Sequence, residues 1–518
     1  MKSRSSKSNS GYVGQNHLSD DYGIISENKN YLRTNQTQWI RPANWLPLPS
    51  MTAGDQMFAG LLAIVPPGIT AGQPGSTGPS ASSNFVAFSV TGCTYTVDWG
   101  NGVTQSYSAG ATAQYQFLYE GISASTTITN DIGLSGCRQT VITAYPSVAG
   151  TTFSGMNFGG VYSQAGYTFA NSTASPWLDM RIAGSTINTF SLAGLAGRSS
   201  DRIIRTLRQF EWVGNSQITN GNSMFSSSSN LRSIKGTSWT ANITDFNGMF
   251  SSCSSLQTVP LLDTSKGITF AGMFNNCRSL QTVPLFDTAN GTKFNLTFGS
   301  CSSLQTVPFL NLEKAITVNS MFSGCSSLQT VPLFNTASAT DFQAMFINCS
   351  SLQTIPLFIT ASGQAMASMF SGCFSLQTVP LLDTKNVTTF NSIFNNCSSL
   401  QTVPLFDTSK ATSIANIFNN CSSLQTVPLF NFGAANTITT PFNGCSNLKQ
   451  AATLAPNVGS PWNLNDLNLS PAAINQVFAN LPTGAASQRT CNITNNWGEP
   501  YCDRSIATAR GWLVTPNR

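Results

Sequence analysis

The chain of 518 residues contains one histidine, His17. Histidine-based triads, two-histidine metal sites and Cys/His zinc fingers therefore have no material to be built from. Charge is scarce as well: 9% of the residues are Asp, Glu, Lys or Arg, against ~25% in ordinary soluble domains. The net charge of +5 is spread over the whole length, too thinly to suggest a nucleic-acid partner. Nowhere do about 18 uninterrupted apolar residues suggest a membrane span, and residues 1–38 carry no apolar run like a signal-peptide core. Ordinary export and membrane anchoring are both disfavoured on that basis. No phosphate-cradling loop occurs, and the 20 acidic residues are scattered, with nothing that singles out a catalytic carboxylate pair. The expectation is a non-enzymatic protein without cofactor or metal.

What the chain does have is a repeat. Ser255 begins SLQTVPLLDT, and close copies begin at Ser279, Ser303, Ser327, Ser351, Ser375, Ser399 and Ser423. Nine of the 13 cysteines, Cys253, Cys277, Cys301, Cys325, Cys349, Cys373, Cys397, Cys421 and Cys445, fall at an unbroken spacing of 24. They form one repeat position and not a set of disulfide pairs. Rungs stacked ~4.8 Å apart would bring neighbouring thiols close, but with parallel side-chain vectors, and an odd number cannot all pair. Buried small apolar residues are the preferred reading. Cys491 and Cys502 could pair, although free buried thiols are preferred there too.

In the second unit the apolar positions are Cys277, Leu280, Val283, Leu285, Phe286, Phe294 and Phe298. The Phe298 position is Phe throughout, so a large ring should stack on those above and below. A unit of 24 residues cannot close a core alone; stacking makes its apolar face continuous. If the repeated decapeptide holds a short strand, alternation points Val259 and Leu261 inward and Thr258 and Pro260 outward. Proline lacks an N–H, so the ladder loses one bond at the same height in every rung and the strand must be very short. Asp or Asn in the following F-D-T segment can bond its own backbone in a turn. The M-F-x-x-C segment is expected to make a short helical turn, and eight or nine rungs would give a rod about 40 Å long.

Units such as SLQTVPLFDTSKATSIANIFNNC resemble the BspA-type leucine-rich repeats of bacterial surface proteins, whose usual form is close to SL-x-x-L-x-L-x-x-FDTS-x-VT-x-M-x-x-MF-x-x-C. The resemblance covers about residues 205–450 and implies an adhesin-like or exposed surface protein with no catalytic residues to carry over. This chain is slightly shorter around the strand and adds the proline. Further upstream, YTVDWGNG is similar to the YxVDWGDG turn of PKD-type β-sandwich domains, with Asn101 in place of the second Asp. WIRPANWLPLP, NFVAFSVTG and YTVDWGNG together resemble the opening of virion structural proteins of tailed phages, particularly marine ones. That resemblance implies a surface protein that needs no export signal, assembled in the host cytoplasm and released by lysis.

The expected fold is mainly β with short helical turns. A polar arm (1–38) precedes a PKD-like β-sandwich (39–145), irregular capping rungs (146–220), a leucine-rich-repeat solenoid of 24-residue period (221–450) and a small helical C-terminal cap (451–518). Trp39–Ser50 reads as a docking or strand-edge segment, Asn101-Gly102 as a tight hairpin turn, and Trp177–Ile182 and Gln209–Val213 as one strand each. Leu469–Pro482 reads as a helix capped by Ser470 with Pro471 in its first turn, and residues 502–512 as a second short helix ending at Gly511. Candidate binding positions are the outward columns Gln257, Thr258, Pro260, Gln281, Thr282, Pro284, Gln329, Thr330 and Pro332, either a periodic surface for a glycan or a purely structural ladder. Arg202, Arg205 and Arg208 recur at helical spacing, as a solvated face or as a patch for an anionic polymer. Expected partners are other virion proteins, through the arm and the sandwich, and host surface glycan or protein; a homo-oligomer is compatible. A tail or surface appendage leads, with capsid decoration, a cellular adhesin and, last, a polysaccharide-degrading spike as alternatives.

Overall fold

Short alternating apolar runs separated by glycine-rich turns make strands, and the first third of the chain is built from them. In the computed structural model the described residues are 39–66, 84–129, 134–158, 161–164, 167–170, 177–192, 206–436, 439–451, 462–483 and 489–516. The polar arm, Arg202 and Arg205 lie outside them. Residues 43–518 form one unit; residues 1–42 form another, of which 39–42 are described and carry no regular element.

Nine strands open the larger unit: β1 (Met57–Ile64), β2 (Phe85–Thr91), β3 (Tyr95–Asp98), β4 (Thr104–Tyr107), β5 (Thr112–Gln116), β6 (Arg138–Pro146), β7 (Gly155–Asn157), β8 (Val161–Gln164) and β9 (Tyr167–Ala170). Four follow before the repeats: β10 (Trp177–Ala183), β11 (Thr189–Ser191), β12 (Gln209–Val213) and β13 (Ser233–Lys235). One sheet runs β13-β12-β10-β1-β6-β3-β4 and a second β11-β7-β2-β5, while β8 and β9 form a hairpin. Aromatic rings join the two sheets: Phe58 of β1 lies 5.5 Å from Phe88 of β2 and 5.4 Å, edge-on, from Trp177 of β10. Gly60 makes this possible, because a Cβ there would sit 2.2 Å from the Trp177 ring.

The β3–β4 connection is longer than a two-residue hairpin turn. Trp99 N donates to Val103 O at 3.0 Å, and the buried Trp99 ring stacks on Tyr115 at 5.0 Å. Gly100 has φ +73°, and a Cβ there would lie 2.2 Å from Val141 O, so only glycine fits. Asn101 Nδ2 donates to the Tyr115 hydroxyl at 2.8 Å, which occupies it structurally. The docking segment behaves as its proline-rich sequence suggests. Gln139 takes Leu46 N on its Oε1 and gives its Nε2 to Asn44 O, and Arg181 donates to Pro49 O at 2.7 Å.

The larger sheet does not stop near residue 145. β1 pairs antiparallel with both β6 and β10, and β10, β12 and β13 then continue in parallel. Asp179 and Gln209 hydrogen-bond across that parallel pair in a buried position, and Arg181 pairs with Glu211 at 2.8 Å. From β12 to β13 the partner residues are 24 apart, so the sheet passes directly into the repeats. It covers the first rung's apolar face, as an array end requires.

The repeats contain almost no regular strand. Parallel bridges run Asp245–Thr269–Lys293–Thr317–Asp341–Ala365–Thr389–Ser413, one residue per rung. Only near the end does a two-residue pair form, β14 (Thr426–Val427) with β15 (Gln450–Ala451). Phe250, Phe274, Phe298, Phe322, Phe346, Phe370, Phe394, Phe418 and Phe442 are all buried, and from Phe225 onward successive rings stack at 5.3–5.9 Å with interplanar angles of 2–12°. The rings are thus further apart than the ~4.8 Å of a strand ladder, as offset stacking of rings prefers.

Both ends of this column are closed by rings turned edge-on. Phe210 meets Phe225 at 4.8 Å and 71°, and Trp462 meets Phe442 at 5.9 Å and 82°. Trp462 belongs to the C-terminal part, where β16 (Trp462–Asn463), β17 (Arg489–Asn492) and β18 (Trp512–Thr515) form a parallel sheet beside α1 (Pro471–Ala479) and α2 (Ser505–Thr508). The end is therefore partly β as well as helical. Ser470 Oγ caps α1 by accepting Ala473 N at 3.1 Å, with Pro471 at its start. Cys491 and Cys502 are both free. No helix among the described residues is long and apolar enough to cross a membrane.

Candidate functional site

The repeated decapeptide exposes one face of the stack, and its proline decides how. Cys253, Leu256, Val259 and Leu262 are buried, one side chain in every three residues. Three is the period of a polyproline-type coil, not the two of a pleated strand. Proline fixes φ near −65° and withholds a ladder N–H. The segment accordingly keeps few cross-rung backbone bonds; one recurs from Gln281 N on Gln257 O at 3.0 Å to Lys449 N on Gln425 O at 2.9 Å, and in several rungs the leading serine adds another, as Ser279 N on Ser254 O at 3.2 Å.

This corrects the expected orientation of the segment. Val259 faces inward, but Leu261 and Leu285 face solvent, and Leu262 and Phe286 take the inward places. In the resulting face Thr258, Thr282 and Thr330 are exposed, Pro260, Pro284 and Pro332 are half-buried, and Gln257 and Gln281 are half-buried while Gln329 is exposed. Beside them stand Leu261, Leu285, Phe309, Leu333, Leu357, Leu381, Leu405 and Leu429, all 48–62% exposed. Sequence reasoning missed this column because alternation assigned it to the core. The available signal was that Leu256, Val259 and Leu262 are three apart.

Interior hydrogen bonding replaces the missing ladder. Each cysteine from Cys253 to Cys445 donates its thiol to a phenylalanine carbonyl of the preceding rung, as from Cys349 Sγ to Phe322 O at 3.1 Å. Burial pushes these thiols up, Cys325, Cys373 and Cys445 to about 12. They are neutral donors, unsuited to nucleophilic or metal chemistry. The threonine of F-D-T is buried too, and the sequence reading passed over it. Thr264 donates to Asp287 O at 2.7 Å, Thr360 to Asp383 O at 2.8 Å and Thr408 to Asn431 O at 2.9 Å. The preceding Asp does bond its own turn, since Asp263 Oδ1 accepts Ser265 N at 3.1 Å. The Ser409 hydroxyl and N–H hold the Asp407 carboxyl below its ordinary range.

The M-F-x-x-C segment is a run of turns and not a helix. Backbone N–H groups alternate between the same rung and the next: Met249 N donates to Phe246 O, whereas Phe250 N donates to Met273 O. Such alternation needs positive φ twice per unit, at Gly248 and Ser252 in one rung and at Asn416 and Asn420 in another. Asn tolerates that region better than most residues. Its side chains add a further ladder, Asn443 to Asn419 at 3.0 Å and Asn419 to Asn395 at 2.9 Å.

Arg208 lies in the coil leading into β12, half-buried, its guanidinium 5.8 Å from the centre of the Trp45 ring. It is not on a helix, so the expected basic helical stripe is absent at the one of its three positions that is described. No group of three or more His, Cys, Asp or Glu residues among those described could hold a metal ion.

The family described as "Mycoplasma protein of unknown function, DUF285" matches four overlapping stretches, residues 207–308, 269–381, 316–432 and 358–457. Together these stretches run from residue 207 to residue 457 and take in the repeated units. No curated protein matches the sequence. Among solved structures, a leucine-rich repeat protein from Eubacterium ventriosum is similar over 52% of this chain and 91% of its own, at 15% identity and a TM-score of 0.28. The Toll–Spätzle complex of Drosophila is similar over 64% of this chain and 57% of that one, at 13% identity and a TM-score of 0.21. The plant peptide hormone receptor RGFR1, in complex with RGF2, is similar over 60% and 52%, at 15% identity and a TM-score of 0.19.

Proposed function

We propose that this chain is a non-enzymatic, adhesin-like surface protein. Its two packed sheets act as a β-sandwich base, and its leucine-rich-repeat solenoid of 24-residue period acts as a projecting contact surface. The supporting observation is the face built by the decapeptide: uncharged Thr, Gln, Pro and Leu columns recur at one height in every rung. The nine thiols of the repeat column, from Cys253 to Cys445, are sealed inside. A surface of that kind presents area and shape and has no reactive group.

In its finer form the reading is a virion structural protein of a tailed phage, in a tail or surface appendage, held to the particle by the N-terminal part. The resemblance of WIRPANWLPLP, NFVAFSVTG and YTVDWGNG to such proteins supports it. Capsid decoration and a cellular adhesin are the alternatives. Mass spectrometry of density-purified particles and of the producing cells' envelope, with gold-labelled antibody against residues 39–120, separates them. Chain found in the particle fraction and labelled at an appendage supports the virion form. Chain confined to the cell envelope overturns it and leaves the adhesin. Release of sugars from host glycan by the purified protein overturns the non-enzymatic reading itself.

A further inference from the structure

The exposed apolar column needs a cover, and we propose that the cover is a second copy of this chain, docked stripe to stripe about a two-fold axis. The column holds eight large side chains, Leu261, Leu285, Phe309, Leu333, Leu357, Leu381, Leu405 and Leu429, each 48–62% exposed. Together they present on the order of 800 Å², the area one partner contributes to a standard protein–protein interface. Scattered surface leucines need no explanation, but a contiguous apolar stripe of this size marks an interaction surface.

Three features single out a second copy. First, the spacing of the column is set by the stack itself, whose rings repeat every 5.3–5.9 Å. A second copy carries the same spacing along its whole length, so the leucines of one stripe stay in register with those of the other over all eight rungs. Second, the adjoining columns are Thr258, Pro260 and Gln257 and their equivalents, which carry no charge and so do not repel their own kind. The acidic column, Asp263, Asp287, Asp383 and Asp407, is exposed two residues beyond the leucines, at the rim, where carboxylates stay in water. Third, an isologous contact requires one patch to be its own complement, and a column of near-identical residues meets that condition when read in either direction. The two-fold axis then passes between Leu333 and Leu357, so that Leu333 faces Leu357 of the partner subunit. This inference does not rest on the proposed function: it holds for a virion appendage and for a cellular adhesin alike.

Sedimentation equilibrium of the full chain tests it. The expected species is twice the 55.2 kDa chain mass at micromolar concentration. Leu333→Asp with Leu357→Asp, at exposed positions, should weaken association at least 100-fold while leaving the circular dichroism of the folded chain unchanged. Ile268→Asp with Ile316→Asp, equally exposed but outside the column, should leave the dimer intact. Mixed Leu333→Cys and Leu357→Cys chains should form a disulfide between copies on mild oxidation, and either variant alone should not. A wild-type monomer throughout the concentration range overturns the proposal, and so does a dimer indifferent to the central aspartates. Dissociation by the Ile268 and Ile316 pair overturns the assigned face. Binding of the wild-type monomer to lipid vesicles or a glycan surface, lost in the aspartate variant, assigns the stripe to that other occupant and overturns the second copy.

Discussion

The two-sheet base and the repeat stack both bury aromatic rings, and they do so in opposite ways. In the base each ring is individual: Phe58, Phe88, Phe158 and Trp177 meet at 59–89° where the sheets cross, apart from the Phe88–Phe158 pair at 24°. In the stack one ring recurs and meets its copies within 12°. The base therefore depends on particular pairs brought together from distant parts of the chain. The stack depends on translation, so each rung needs only the next. A solenoid of that kind is stabilised by neighbour contacts and fails where a neighbour is missing, and rings turned edge-on at Phe210 and Trp462 supply its two ends.

Alkali should separate the two regions most strongly. The stack's thiols have an ordinary value of 9.0 when unfolded, and burial lifts those of Cys325, Cys373 and Cys445 to about 12. Raised folded values mean full stabilisation below pH 9 and progressive loss from there up to about 12, because the unfolded chain sheds protons that the folded one keeps. Every buried thiol of the column adds to that loss, and together they should make the stack unfold in alkali as pH rises above 9. Hydrogen exchange at stepped pH should show the repeats opening before the base. Replacing three successive cysteines by alanine should move the transition upward in pH.

Trp177→Ala should be the most damaging single change, costing about 3–5 kcal/mol, because the ring touches Phe58 and Phe158 across the sheet junction. Chemical denaturation followed by tryptophan fluorescence measures it, and a loss below about 1 kcal/mol would show that the base does not rely on individual pairs. Thr360→Val in the stack should cost about 1–2 kcal/mol, since it strands the carbonyl of Asp383. Leu312 and Phe432 already stand at equivalent positions, so this loss should stay local to its rung. Smallest of all, Leu333→Asp should change the stability of the isolated chain by no more than about 0.5 kcal/mol. A loss of several kcal/mol there would restore the inward orientation that alternation assigns to this column.

Much of the stack was legible because the same residue at the same height leaves a periodic trace. The cysteine column, the Phe298 column and the need for stacking all follow from spacing and apolarity, and each is buried as expected. Leu261 was misjudged because a strand was assumed where proline had removed one. Thr264 and its equivalents looked like turn residues because a hydroxyl's partner, a carbonyl of the next rung, is invisible along the chain. The base was legible strand by strand, as at Trp177–Ala183, but not in its pairing. β1 lies between β6 and β10, whose residues are distant in sequence, and no local pattern records which edges meet.

The sequence by itself determined that these units stack and which side chains line the inside, because periodic apolarity has one solution when a single unit cannot bury its own face. Tertiary structure alone decided which columns face solvent, how the larger sheet runs on into the repeats, and what closes the ring column at its ends. Those outcomes depend on backbone course and on contacts between distant segments, which the order of residues constrains but does not display.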